Sequence, residues 1–136
     1  ITSMKVILIQ GAENTGKTTL CNNIDYYFKK QLKARVVRKQ ILSNGDFWKE
    51  YSIKIGGKKV RVIINSFSDD TKVIKNFENN FYKSNIDVLI TAIRPMGDKN
   101  HNAVKQIYQK DLTGKEEIID LDNNLLGLLN QLQGML

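Results

Sequence analysis

The sequence predicts an α/β fold, a three-layer sandwich around a mainly parallel sheet of about five or six strands with one antiparallel hairpin. Three observations carry that expectation. Apolar runs of strand length alternate with segments whose hydrophobic residues recur at helical spacing. Several runs, Val6-Ile7-Leu8-Ile9 and Val88-Leu89-Ile90 among them, are continuous, as strands buried on both faces are. Two further strand-like segments meet at Gly56-Gly57, the composition of a tight hairpin turn.

In chain order, a first strand is expected over 5–10, then a helix from about Gly16 to Lys33 that buries Leu20, Ile24, Tyr27, Phe28 and Leu32. A second strand follows at 34–38, and Ser43-Asn44-Gly45-Asp46 is a turn cluster. The hairpin arms are 49–55 and 58–65. The first arm alternates polar and apolar residues as an edge strand would, and Val62-Ile63-Ile64 is expected deeper, beside the first strand. A loop over 66–70 leads to a helix from about Asp70 to Lys83, with Val73, Ile74, Phe77 and Phe81 inward. Asp69 or Asp70 suits its N-cap. A central strand at 86–92, a loop at 93–100, a helix at 101–110, a strand at 116–121 and a helix at 123–136 complete the pattern. Right-handed crossovers bring the loops after the first strand, after Asn65 and after Ala92 to one carboxyl edge of the sheet.

The 136 residues make one domain with enough chain for a real core. A content of 41% hydrophobic and 26% charged residues excludes a disordered chain, and no apolar run approaches the roughly 20 residues that span a bilayer. Ile1-Thr2-Ser3 reads as an addition ahead of a native start at Met4, and the short apolar stretch that follows is no signal peptide. A single cysteine, Cys21, excludes an internal disulfide and points to a cytoplasmic protein; on the first helix it reads as a buried structural thiol. The net charge of +7 is uneven, with 13 Lys/Arg against 4 Asp/Glu in residues 1–65. That half is either a face for polyanions such as nucleic acid or a set of solvated helix and strand ends, and no recognised nucleic-acid motif accompanies it.

The most informative stretch is Gly11-Ala12-Glu13-Asn14-Thr15-Gly16-Lys17-Thr18-Thr19, between an apolar strand and a helix. Its spacing, G-x-x-x-x-G-K-T, is that of a phosphate-binding loop. Gly11 and Gly16 permit backbone angles that turn successive N–H groups inward, and the positive end of the helix adds to that field. Lys17 reaches the β- and γ-phosphates, Thr18 binds Mg²⁺, and Thr19 donates toward the α-phosphate; Asn14 and Thr15 supply loop amides. Glu13 is unusual in a polyanion site and is expected to point outward. The loop identifies the chain as similar to the P-loop NTPase superfamily, and its ten residues resemble those of nicotinamide-riboside-type nucleoside kinases. The resemblance implies ATP and Mg²⁺ as ligands and a single nucleotide-binding domain over 1–136.

Beyond the loop, P-loop enzymes carry a metal-binding carboxylate at the end of a neighbouring strand. Here that position is Asn65, and the carboxylates come later as Asp69 and Asp70, which serve either as metal ligand and base or as helix caps. Arg94, at the exit of a central strand, is either a charge clamp on the transferring phosphoryl group or one side of a surface ion pair. Lys99 and His101 read as exposed helix-start residues, and the stretch Thr91-Ala92-Ile93-Arg94 lacks the guanine-reading motif of G proteins, which leaves ATP by elimination. The functional expectation is a small Mg²⁺-dependent phosphotransferase acting on a small acceptor, with the hairpin as acceptor wall. The alternatives are a slow NTPase that acts as a switch for a protein or nucleic-acid partner, and a binding-only domain.

Overall fold

The computed structural model describes residues 5–11, 16–68, 71–81, 85–108 and 117–120. Its elements in order are β1 (Lys5–Gln10), α1 (Lys17–Lys30), β2 (Arg35–Ile41), β3 (Phe47–Ile55), β4 (Lys58–Asn65), α2 (Thr71–Phe81), β5 (Val88–Ile93), α3 (Lys99–Tyr108) and β6 (Glu117–Asp120). The strands form one mixed sheet in the order β2-β3-β4-β5-β1-β6. From β4 to β6 the neighbours run parallel, whereas β2, β3 and β4 form an antiparallel wing.

The parallel strands β1 and β5 and the end of β4 are buried on both faces, which explains their continuous apolar runs. Ile7, Ile9, Val62, Ile64, Val88 and Ile90 meet Leu20, Cys21, Ile24 and Phe28 of α1 on one face. On the other, Val6, Leu8, Ile63 and Leu89 meet Ile74 and Phe77 of α2 and Val104 of α3. Successive side chains alternate between these two cores, as the period of a strand requires. Phe28 meets the Tyr51 ring edge-on at 5.3 Å, and Trp48 lies 6.0 Å from Phe77. Removing either buried ring would cost about 3–5 kcal/mol.

Helix α1 ends where Lys33 turns left-handed at φ 51° and the Ala34 N–H bonds back to the Phe28 carbonyl at 2.9 Å. The hairpin turns at Gly56 and Gly57, with φ of 56° and 81°, values that favour glycine at both positions of the turn.

Three expectations are corrected. The Val62-Ile63-Ile64 strand does not lie beside β1; β5 intervenes, paired in parallel with both. β3 is interior, because β2 continues to Ile41 and pairs along it. Two of its polar residues are therefore not solvated: Lys49 and Glu50 are buried and satisfied by ion pairs. The Gly56-Gly57 turn lies at the amino end of β4, so the hairpin tip stands at the edge opposite the loop after β1, and only the other end of the hairpin reaches that loop's edge. The helix expected over 123–136 lies outside the described residues.

Candidate functional site

The parallel strands β1, β4 and β5 end at one edge, and β3, running the other way, begins there. The register fixes the alignment: Trp48 lies opposite Asn65, Asn65 opposite Thr91, and Thr91 opposite Leu8. The residues just before β3 therefore reach the same edge as the loop after β1.

Gly11 opens that loop and donates its N–H to the Ile93 carbonyl at 3.1 Å, tying the end of β1 to the end of β5. Gly16 closes it and starts α1 at φ 98°, with no neighbouring atom within 4 Å of where a Cβ would stand. The need for glycine at Gly16 is thus conformational and not a matter of space. Lys17 is buried in the first turn, and its ammonium donates to the Gly11 carbonyl at 2.6 Å. The lysine head thus folds back to the residue that follows β1. Thr19 is exposed, and Glu13, Asn14 and Thr15 lie outside the described residues.

Thr18 makes the decisive contact. Its hydroxyl donates to Asp46 Oδ1 at 2.6 Å, joining the start of α1 to the residue before β3. Asp46 is held from several sides. The Ser66 hydroxyl, at the end of β4, lies 3.2 Å from the same Oδ1 and accepts the Phe47 N–H at 2.8 Å. The Asn44 amide donates to Oδ2 at 3.2 Å, while the Asp46 N–H returns to Asn44 Oδ1 at 3.0 Å. Gly45, at φ 91°, lets the 42–46 loop make this tight turn. Asp46 is 9% exposed, and its hydrogen-bond partners among the described residues are all neutral. Its two oxygens are thus held by hydroxyl and amide donors. The Thr18 hydroxyl and the Asp46 carboxylate could hold a divalent cation between them.

Beneath this pair lies Cys21, fully buried, as the sequence suggested. Burial pushes its thiol up to about 12, with Asp46 adding to the rise and Lys17 opposing it. The thiol is therefore inert at neutral pH.

No family model, curated protein or solved structure matches this chain.

The other expected site residues are distributed as follows. Asn65 is buried and braces the strand ends, donating to Thr91 Oγ1 at 3.0 Å and the Phe67 carbonyl at 3.2 Å while accepting the Phe67 N–H. Asp69 and Asp70 lie outside the described residues. Arg94 follows Ile93, whose carbonyl holds Gly11, so its backbone borders the loop. Its guanidinium is mostly buried, and Nε lies 3.8 Å from Asp98 Oδ2. Asp98 also accepts the Asn100 N–H at 2.8 Å, which caps α3. Lys99 is exposed, as expected. His101 is not: it is 6% exposed, and Nδ1 donates to the Arg94 carbonyl at 2.8 Å. His101 thus braces the Arg94 loop from below.

Sequence reasoning missed Asp46 and Ser66. It sought the carboxylate at the end of a parallel strand, whereas an antiparallel strand offers one at its start. The available signal was Asn-Gly-Asp directly ahead of a strand that pairs antiparallel with the Val62-Ile63-Ile64 run.

Proposed function

We propose that this chain is a P-loop nucleotide-binding domain of three-layer α/β architecture that binds Mg·ATP and transfers or releases its γ-phosphoryl group. The observation that carries the reading is the 2.6 Å contact from Thr18 to the cation-poor Asp46 carboxylate, one residue beyond the inward-folded Lys17.

In this reading Lys17 leaves the Gly11 carbonyl for the β- and γ-phosphates. The N–H groups at the start of α1 receive phosphate oxygens. The Thr18 and Asp46 oxygens are the groups that would hold Mg²⁺, which would supply neutralisation of phosphate charge there. Ser66 and Asn44 keep the Asp46 carboxylate in place, so its geometry is set before ligand arrives. Arg94 stands at the neighbouring strand exit to offset charge on the transferring group, with Asp98 and His101 positioning its loop. Such catalysis consists mainly of positioning and electrostatics, which a domain of this size can supply.

In this reading Asp46 offers the carboxylate that the strand end lacks at Asn65. This favours a phosphotransferase over a domain that has lost catalysis. The test is ADP release from Mg·ATP, alone and against a panel of nucleosides, nucleotides and small hydroxyl compounds. A rate that rises sharply with one acceptor supports the phosphotransferase and names its substrate class. Equal, slow release with every acceptor would replace it with an NTPase, and absence of ATP binding would end the nucleotide reading.

A further inference from the structure

Cross-strand partners share a face of a sheet, so the register of the antiparallel wing specifies what each face presents. On the face opposite α1, β2 presents Arg35 and Arg38, β3 presents Glu50, Ser52 and Lys54, and β4 presents Lys59 and Arg61. Five cations thus meet one carboxylate. A bulge at Val37 creates part of this pattern, because the register shifts between Val36 and Arg38. Without the extra residue Arg38 would point toward α1 with Val36; with it, Arg38 joins Arg35.

The face is organised as well as charged. Glu50, 1% exposed, accepts from Arg38 Nε at 3.0 Å and lies 3.6 Å from Arg61 Nη1, which fixes both guanidinium groups. Arg38 also lies over the Trp48 ring, 5.5 Å from its centroid. Lys54 and Lys59 sit directly opposite each other in the register, and both are exposed. Like charges in that position disfavour the fold. They are explained if the fold is not what they serve.

We propose that this basic face of the β2-β3-β4 wing binds the phosphate backbone of a nucleic acid. Strands about 5 Å apart, with same-face residues roughly 7 Å apart along each, make a grid of cations on the scale of successive phosphates. Three of the five cations are arginines, whose planar forks match phosphate oxygens. The exposed large hydrophobic residues, Tyr26, Ile41 and Met96, are not among the residues of this face. Among the described residues, this face therefore shows none of the exposed apolar anchors that a lipid surface or an apolar protein interface would use. It belongs to the wing and leaves the Lys17–Asp46 edge accessible to nucleotide.

The test is fluorescence anisotropy with labelled single-stranded DNA, single-stranded RNA and duplex DNA of about 20 residues, across a salt series. The wild-type chain should bind, with log K falling against log salt at a slope of about −3 to −4, as five cations imply. The triple variant Arg35→Glu, Lys54→Glu, Lys59→Glu should weaken binding by at least about tenfold and flatten that slope by about 2. A triple variant of equal charge change, Lys30→Glu, Lys33→Glu, Lys75→Glu, should cost less than about threefold. All six positions are exposed, and circular dichroism confirms that each variant is folded. Equal losses in the two triples, no binding by the wild type, or binding only to phosphatidylserine vesicles would each overturn the proposal. ATP binding is measured on the same samples; Lys17→Ala should leave oligonucleotide affinity unchanged, so failure of the nucleotide reading would show separately.

Discussion

Two buried aspartates link α1 to β3, and they are treated in opposite ways. Asp25, two turns into the helix, lies 3.2 Å from both the Lys29 and the Lys49 ammonium groups and accepts the Tyr51 hydroxyl. Asp46, at the helix start, is met by two hydroxyls and an amide. The first carboxylate is already neutralised, whereas the second is positioned and left without a cation partner among the described residues. An ion cluster that completes itself ties helix to sheet; the other carboxylate is the one our proposal assigns to a bound cation. The same packing interface thus contains a structural site and, above it, the functional one we propose.

The largest expected effect tests the functional end. Lys17→Ala should lower turnover of Mg·ATP by about a thousandfold and abolish tight binding, seen by steady-state ADP release and isothermal titration calorimetry. Unchanged affinity would mean that the loop holds no phosphate. Asp46→Asn keeps the size and most hydrogen bonds of the site but removes its charge. Turnover with Mg²⁺ should fall about a hundredfold while thermal stability hardly changes, because an amide oxygen at this position still accepts from Thr18 and Ser66.

Asp25→Asn should do the reverse. It leaves Lys49 buried without its anion and should cost about 2 kcal/mol in chemical denaturation, less than a fully buried pair because Lys29 is half in water. Turnover per folded molecule should hardly change. The pH dependence carries the same distinction. Burial pulls the Asp25 carboxyl upward, but the Tyr51 hydrogen bond and the two lysines together hold it below the usual carboxylate range. Its contribution is therefore complete above the unfolded carboxyl value near 3.8 and is lost as pH falls through the lower folded value. Burial also draws the Lys49 ammonium down, against the pull of Asp25, while burial and then Asp25 raise the Tyr51 hydroxyl. The raised Tyr51 group stabilises the fold below the ordinary tyrosine value of 10 and loses that contribution as pH rises beyond it. Urea denaturation of wild type and Asp25→Asn between acid and neutral pH should show the difference between them shrinking toward the acid end. The smallest effect is expected from Arg94→Ala, which should spare ATP affinity and slow turnover about tenfold.

Much of this was legible in the sequence, for physical reasons that differ from residue to residue. The strand before Gly11 and the helix after Gly16 could be read because a continuous apolar run and a helical repeat of apolar residues bracket the two glycines. The hairpin could be read from Gly56-Gly57, and the parallel strands from continuous apolar runs. Asp46 could not, because its role depends on which strand runs antiparallel and where β5 inserts, and both are decided by long-range pairing. Lys49 and Glu50 misled for a related reason. Charged residues alternating with apolar ones look solvated until the partners that neutralise them, Asp25 on α1 and two arginines on neighbouring strands, are known. His101 was concealed in the same way, since its burial follows from the position of the Arg94 carbonyl above it.

The measurement that bears most directly on the central claim is ATP binding by calorimetry, with Mg²⁺ and with EDTA, for the wild type and Asp46→Asn. The wild type should bind ATP at least about tenfold more tightly with Mg²⁺, and the variant should bind equally in both conditions at the affinity the wild type shows in EDTA. A variant that keeps the full Mg²⁺ enhancement would show that Asp46 is not the carboxylate that holds the metal.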